Sequence, residues 1–171
     1  MIRKESKSLA WLEFANLPEV EITAGIFEEQ GSQPKKKGKG AKKAPRLTLA
    51  EIAAVHEFGA LLKNAEGEVI GEIPQRSWLR AWFDANQERI QAEFIRRLAA
   101  NGPGKWRLAL EQLALWIEAE LKRNIRRGGT PPFQKLSKET ERRKRSTKPL
   151  IDTSQLVNAI TAKVDGRRPS K

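Results

Sequence analysis

The residue types that most often carry out chemistry in proteins are scarce in this chain. It contains no cysteine and one histidine, His56. Thiolate nucleophiles, disulfides and cysteine-based zinc or iron–sulfur sites are therefore excluded. His56-Glu57 supplies half of the His-Glu-x-x-His zinc motif, but position 60, where the second histidine would lie, is Ala60. We expect His56 to be a surface or packing residue, and we predict no metal site.

Neither a phosphate-binding loop nor a nucleophile elbow is present. Residues 37–40 read Lys-Gly-Lys-Gly, without Walker spacing and without a helix behind them, and no Gly-x-Ser-x-Gly occurs. The carboxylates have structural explanations: Glu28-Glu29 as a solvated pair, Asp152 as a helix cap, and Glu111, Glu118 and Glu120 on the polar side of a helix. The sequence thus predicts no catalytic residue, no cofactor and a protein that is not an enzyme.

Positive charge is concentrated in two segments. Of the net charge of +12, residues 34–46 carry +7 and residues 121–148 carry +9, which leaves −4 on the rest. Concentrated positive charge attracts polyanions, although two solvated flexible loops would look the same. Because no aromatic residue lies among these basic residues, any nucleic-acid contact would be to phosphates. The candidate DNA- or partner-contacting residues are Lys35, Lys36, Lys37, Lys39, Lys42, Lys43, Arg142, Arg143, Lys144 and Arg145.

The first half of the chain indicates short elements. Alternating apolar residues predict a strand over residues 18–27. Residues 30–46 lack large apolar side chains and are expected to form a mobile basic loop. Thr48 and Glu51 form a capping box that opens a helix ending at Gly59, with Ile52, Val55 and Phe58 facing inward. Residues 64–67 indicate a turn, and residues 69–73 a short strand.

The second half is dominated by two long helices. Apolar residues at helical spacing predict helices over residues 77–100 and 105–126, and the short Asn-Gly-Pro-Gly connection predicts that they pack as a hairpin. A shorter helix capped by Asp152 or Thr153 and a final strand over residues 161–165 follow. We therefore expect an α+β fold: one domain over residues 1–171, a small mostly antiparallel sheet on the helical hairpin, and a frayed tail at about residues 166–171.

Five tryptophans occur in the chain. Trp82, Trp106 and Trp116 lie at helical spacing and are expected in the core. Trp11 and Trp78 fit these stripes less well. With Phe14, they are the candidate apolar residues of a subunit interface. No apolar run reaches the roughly 18 residues of a membrane span, so no membrane contact is expected.

Three segments, in order, resemble the tail-completion or head–tail joining family of tailed bacteriophages. Residues 53–59 match its Ala-x-x-x-Glu-Phe-Gly pattern, and residues 73–80 match Ile-Pro-x-Arg-Pro-Phe-Leu-Arg except at Ser77-Trp78. Residues 136–160 match the stretch that ends in Leu-x-Asp-Thr-Gly-x-Leu-x-x-Ser-Ile. There, Ser154 replaces the glycine and Ala159 replaces the serine. The resemblance covers about residues 49–164 and excludes the basic loop.

The resemblance implies a structural virion protein that forms a ring at the neck, completes the tail and joins it to the head. The ring would have six copies, with twelve as the alternative. Its expected partners are the tail terminator and the head–tail connector or stopper proteins, with non-specific contact to the double-stranded genome in the lumen. The expected location is the virion, after assembly in the host cytoplasm. Two alternatives stand beside it: a free nucleic-acid-binding module acting through phosphate contacts, and an enzyme dependent on His56 or on a carboxylate pair that the sequence does not reveal.

Overall fold

The computed structural model describes residues 19–28, 47–102, 104–136, 138, 142, 149–150 and 154–170. Within them the fold is α+β, as predicted. The elements in chain order are β1 (Ile22–Gly25), α1 (Leu49–Phe58), β2 (Ala60–Lys63), β3 (Val69–Ile73), α2 (Arg80–Asn101), α3 (Trp106–Arg127), α4 (Gln155–Ala159) and β4 (Thr161–Val164). The predicted basic loop at residues 30–46 lies outside the described residues, as does most of the basic stretch after residue 136.

Helices α2 and α3 form the predicted hairpin. The apolar stripe of α3 is buried at Leu113, Ile117, Leu121 and Ile125, each at most 4% exposed. Burial of each such side chain stabilises the fold by roughly 1.5–3 kcal/mol. Gly102 and Gly128 end the two helices with φ of 82° and 100°, which glycine adopts without strain. Trp82 is buried as predicted, whereas Trp106 and Trp116 are half-buried.

The strands form two separate antiparallel pairs. β1 pairs with β4 in the register Ile22↔Val164 to Gly25↔Thr161, and this pair packs on α3, where Ala114, Ala162 and Val164 are buried. The predicted first strand is therefore shorter than expected, while β4 matches its prediction to within one residue. β2 and β3 form the other pair, and β2 was not predicted as a strand.

Helix α1 begins as the sequence predicts. The Glu51 amide donates to Thr48 Oγ1 at 3.1 Å, and the Thr48 amide donates to the Glu51 carboxylate at 2.6 Å. The inward face differs in part from the prediction: Ile52 packs against the core as predicted and Leu49, Ala53 and Glu57 are buried, whereas Phe58 is 62% exposed. Phe58 is the last helical residue, so Gly59 turns the chain away before the core can cover the ring.

The C-terminal residues were predicted to fray but lie against the body as far as Pro169. Val164 and Arg167 exchange backbone hydrogen bonds of 2.8 and 2.9 Å. The Arg168 guanidinium reaches the Glu118 carboxylate at 3.3 Å, and Pro169 is buried. A tight turn at residues 165–166, with positive φ at both, folds the chain back onto α3.

Helix α4 begins after Ser154, not after the predicted caps Asp152 or Thr153, which lie outside the described residues. Ser154 has φ 58° and ψ 2° and makes no side-chain capping bond. This left-handed conformation is strained for a residue with a Cβ atom. Among the described residues, no helix combines the length and apolar character that crossing a membrane requires.

Candidate functional site

The end of α1 and the start of α2 meet around one buried carboxylate, that of Glu57. Its Oε1 accepts hydrogen bonds from Ser77 Oγ at 2.7 Å, from the Arg80 amide at 3.2 Å and from Arg80 Nε at 3.0 Å. Its Oε2 accepts from the Trp78 and Leu79 amides at 2.9 and 3.0 Å. Both carboxylate oxygens are therefore engaged by donors from the chain itself. The Glu57 residue is 4% exposed.

Glu57 acts as the cap of α2 from more than twenty residues upstream. The residue at the N-cap position, Leu79, has no side-chain acceptor of its own. The first amides of a helix lack intrahelical partners and carry a partial positive charge, which a carboxylate satisfies. Burial raises the pKa of Glu57, but the hydrogen bonds from Ser77, Leu79 and Arg80 outweigh it and hold that pKa below its ordinary value. The capping group is therefore an ionised carboxylate at neutral pH.

This cap also explains why α2 starts three residues later than the periodicity predicts. The amides of Trp78 and Leu79 donate to Glu57, and the Ala81 amide donates to Ser77 Oγ at 3.2 Å. Residues 77–79 thus form the approach to the helix. The sequence analysis singled out both the Glu-Phe-Gly and the Ile-Pro-Gln-Arg-Ser segments. Nothing within either segment indicated that the Glu57 carboxylate would cap the helix that follows the second.

Trp78 was predicted at a subunit interface, and this prediction is wrong. The residue is 2% exposed, and its indole Nε1 donates to the Ala53 carbonyl at 3.3 Å. A side chain so buried within its own chain has no surface left for a neighbouring subunit. Its burial follows from the Glu57 cap, which pulls the Trp78 backbone onto α1 and turns the ring into the core.

Arg76 attaches a third part of the chain to this junction. Its amide donates to the His56 carbonyl at 2.7 Å, while its guanidinium donates from Nε to the Gln134 carbonyl at 3.1 Å and from Nη1 to the Pro74 carbonyl at 3.4 Å. Arg76 is 6% exposed, and burial lowers its pKa. The carbonyls of Gln134 and Pro74 thus hold this buried cation, and the bond to Gln134 attaches that residue beside the end of α1.

The three segments that carry the family resemblance meet in one place. Ala53 and Trp78 share a buried core cluster with Leu150, Leu156 and Val157. α1 packs directly on α4. The first segment is therefore bonded to the second through Glu57, and the third lies against both through apolar side chains. Their arrangement consists of caps, carbonyl bonds and core packing. We refer to it below as the three-segment junction.

A second group of buried carboxylates lies on α3. Glu118 and Glu120, predicted on the polar side of that helix, are 8% and 5% exposed. Glu118 accepts from the Ala162 amide of β4 at 3.2 Å and from Lys122 and Arg168 at 2.6 and 3.3 Å. Glu120 pairs with Arg89 of α2 at 3.0 Å and with Arg123. These carboxylates fasten β4, the C-terminal residues and α2 to α3.

Most predicted contact residues lie outside the described residues. These are Lys35, Lys36, Lys37, Lys39, Lys42, Lys43, Arg143, Lys144, Arg145, Trp11 and Phe14. Arg142 is described and exposed. Among the described residues, no group of histidine and acidic side chains could hold a metal ion.

No protein-family model, no curated protein and no solved structure matches this chain.

The β2–β3 hairpin presents an apolar surface that the sequence did not reveal. Leu61, Leu62, Val69 and Ile70 are between 44% and 67% exposed. At the base of the hairpin lies an open groove of about 530 Å³, lined by residues 58–61, 72–75 and Gln134. We call this the basal groove. The only available signal was the pair of short apolar runs on either side of the Asn-Ala-Glu-Gly turn.

Proposed function

We propose that this chain is a non-catalytic structural protein of a tailed-phage virion. It forms a ring at the neck that completes the tail and joins it to the head. The proposal begins with the sequence resemblance over residues 49–164. It is supported by the bonding of Glu57 to residues 77–80, which makes the first two resembling segments parts of one structural unit.

The conformation at Ser154 adds separate support. The family pattern has glycine at this position, and Ser154 has φ 58°, a conformation that glycine adopts without strain. The backbone thus keeps a glycine-like turn where the side chain differs from the pattern. The spacing of the third segment is consistent with the same turn into α4.

Genetic removal of the chain tests the proposal. Without it, the phage should produce filled heads and separate tails that do not join, and expression of the wild-type chain should restore joined particles. An Ala53→Trp variant, which places a large ring in the buried contact between α1 and Trp78, should fail to restore joining. Normal infectious particles in the absence of the chain would overturn the proposal.

The second candidate function is a free nucleic-acid-binding module. The observation that favours it is the exposure of Arg127, Lys135, Lys138 and Arg142 in a region with little negative charge. It predicts binding of the isolated chain to double-stranded DNA without sequence preference, with an affinity that falls steeply as salt rises. An isolated chain that does not bind DNA at low salt would eliminate this candidate.

A further inference from the structure

The β2–β3 hairpin is a ribbon with little support from the rest of the described chain. Its two strands pair with each other, and no other described element packs extensively on them. A two-stranded hairpin is marginally stable in water unless its apolar face packs against something. Here Val69 and Ile70 are 58% and 67% exposed beside unpaired strand edges. The hairpin therefore has the properties of an element completed by a partner.

The turn at the tip is nevertheless well built. Asn64 Oδ1 accepts from the Glu66 and Glu68 amides at 3.1 and 2.8 Å, and Asn64 Nδ2 donates to the Glu68 carboxylate at 2.9 Å. Leu62 pairs with Gly71 and Lys63 with Val69, so Ile70 is an extra, bulged residue of β3, and both Val69 and Ile70 lie next to the tip. The tip is thus a preformed knob that carries two acids and two exposed aliphatic side chains.

The charge of the hairpin is opposite to that of the rest of the chain. Residues 60–75 contain one basic and three acidic residues, a net −2, of which Glu66 and Glu68 lie at the tip and Glu72 lines the basal groove, whereas the remaining chain carries +14. Residues 121–138 hold six basic residues and no acid; Lys122 and Arg123 pair with Glu118 and Glu120, whereas Arg127 and Lys135 are exposed. A contact between hairpin and hairpin would be repulsive, while a contact between a hairpin and this basic segment is attractive.

The basic segment lies at the opposite end of the hairpin from the acidic tip. Gln134 lines the basal groove and Lys135 follows it in the chain, while the Phe133 amide donates to the Gly128 carbonyl at 2.7 Å, which holds Phe133 at the end of α3, where Arg127 is the last helical residue. Strands of this length separate tip and groove by roughly 13–17 Å. One copy therefore carries the knob and its complement on different surfaces, as a head-to-tail contact requires.

We infer that the partner is a second copy of this chain. The hairpin tip of one copy enters the basal groove of the next, with Val69 and Ile70 against Phe58 and Leu61, and Glu66 and Glu68 facing Arg127 and Lys135. Copies joined by this heterologous contact form a closed ring when a whole number of equal rotations, one per copy, completes a full turn. The inference rests on the proposed function, because a neck ring needs one repeating contact between copies.

A pair of charge-reversal variants of the full chain tests this contact. Variant A carries Glu66→Lys and Glu68→Lys, and variant B carries Arg127→Glu and Lys135→Glu. Light scattering after size exclusion should show an oligomer for the wild type, and each variant alone should be the 19.3 kDa monomer. The dissociation constant should rise at least about tenfold in each variant. A 1:1 mixture of A and B should form oligomers again, because both kinds of contact are then attractive.

Rescue by mixing distinguishes a lost contact from a misfolded chain, since misfolded chains would not reassemble. A third variant, Val69→Ser with Ile70→Ser, should also be monomeric if the aliphatic side chains contribute to the contact. Circular dichroism should show unchanged helix content in all three. A wild type that remains monomeric at high concentration, variants that assemble like the wild type, or a mixture that stays monomeric would each overturn the inference. If rings form through another surface, the proposed neck function survives; if the chain is missing from virions, that function fails whatever the self-association.

Discussion

Glu57 and Arg80 are joined twice through one oxygen: Glu57 Oε1 accepts from the Arg80 amide at 3.2 Å and from Arg80 Nε at 3.0 Å. The Arg80 guanidinium also lies 4.5 Å from the centre of the Phe58 ring, so the residue after Glu57 takes part in the same contact. The end of α1 and the beginning of α2 therefore behave as one rigid corner. The basal groove beside Phe58 and Gly59 takes its shape from that corner.

Replacement of Glu57 by glutamine should destabilise the fold strongly. The change removes a charged acceptor and points an amide NH₂ group at backbone donors, at a cost of roughly 2–3 kcal/mol in the free energy of unfolding. Urea denaturation followed by tryptophan fluorescence measures it. Glu88→Gln, on the exposed face of α2, is the control and should change stability by less than about 0.5 kcal/mol. Equal losses in the two variants would refute the capping role of Glu57.

The contribution of Glu57 should depend on pH. Because its pKa in the folded chain lies below the ordinary value of 4.5, the unfolded chain binds the proton more tightly. The stability difference between wild type and Glu57→Gln should be fully present at pH 7 and should shrink as the pH falls below 4.5 toward the folded pKa. Denaturation series from pH 7 to pH 3 measure this difference. A difference that grows with acid would mean that the folded-state pKa is raised instead.

Gly59 and Gly67 allow a matched test of the corner. Both have positive φ, 76° and 88°, so alanine is strained at either position, and the ψ of 168° at Gly59 lies in a region that is essentially restricted to glycine. At Gly59 the added Cβ would also lie 3.0 Å from the Ile73 carbonyl oxygen and 3.1 Å from the Gln75 amide nitrogen, whereas nothing lies within 4 Å at Gly67. Thermal unfolding should show Gly59→Ala to be the more destabilised by about 1–3 kcal/mol. Equal losses would show that the hairpin base relaxes freely.

Ser154→Gly should be tolerated, in contrast to an ordinary helix-to-glycine change. Glycine removes left-handed strain of about 1–2 kcal/mol, which offsets its entropic cost of roughly 0.5–1 kcal/mol. Asn158→Gly, at an exposed position of α4, relieves no strain and carries only the entropic cost of glycine. It should therefore destabilise the fold by roughly 0.5–1 kcal/mol. Chemical denaturation of both variants decides the matter. Losses of similar size would contradict the left-handed conformation at Ser154.

Regular local patterns were sufficient to predict much of the fold. The apolar stripes of α2 and α3 span many turns, so their periodicity is unambiguous, and the Thr48–Glu51 capping box depends on residues only three apart. The α+β class followed from these helices and two short alternating strands. β2 was not predicted as a strand because Ala-Leu-Leu-Lys has neither alternation nor β-branched residues, and because its pairing depends on β3.

Contacts between distant residues account for the remaining differences. Glu118 is buried because Ala162 and Arg168, more than forty residues away, satisfy its carboxylate. The Arg168 contact also holds the chain after β4 against α3, although composition alone marked these residues as frayed. Trp78 was assigned to an interface because its spacing did not fit a helix stripe, and only its bond to the Ala53 carbonyl shows where it packs. The residues of a segment indicate its local structure, whereas the hydrogen bonds that position these segments join residues far apart in the sequence.

Imaging of the neck in intact virions tests the central proposal most directly. Electron cryomicroscopy at side-chain resolution, combined with mass analysis of purified particles, locates the chain and counts its copies. Six or twelve copies should form a ring between head and tail, with the three-segment junction recognisable in every copy. Purified virions that lack the chain altogether would contradict it.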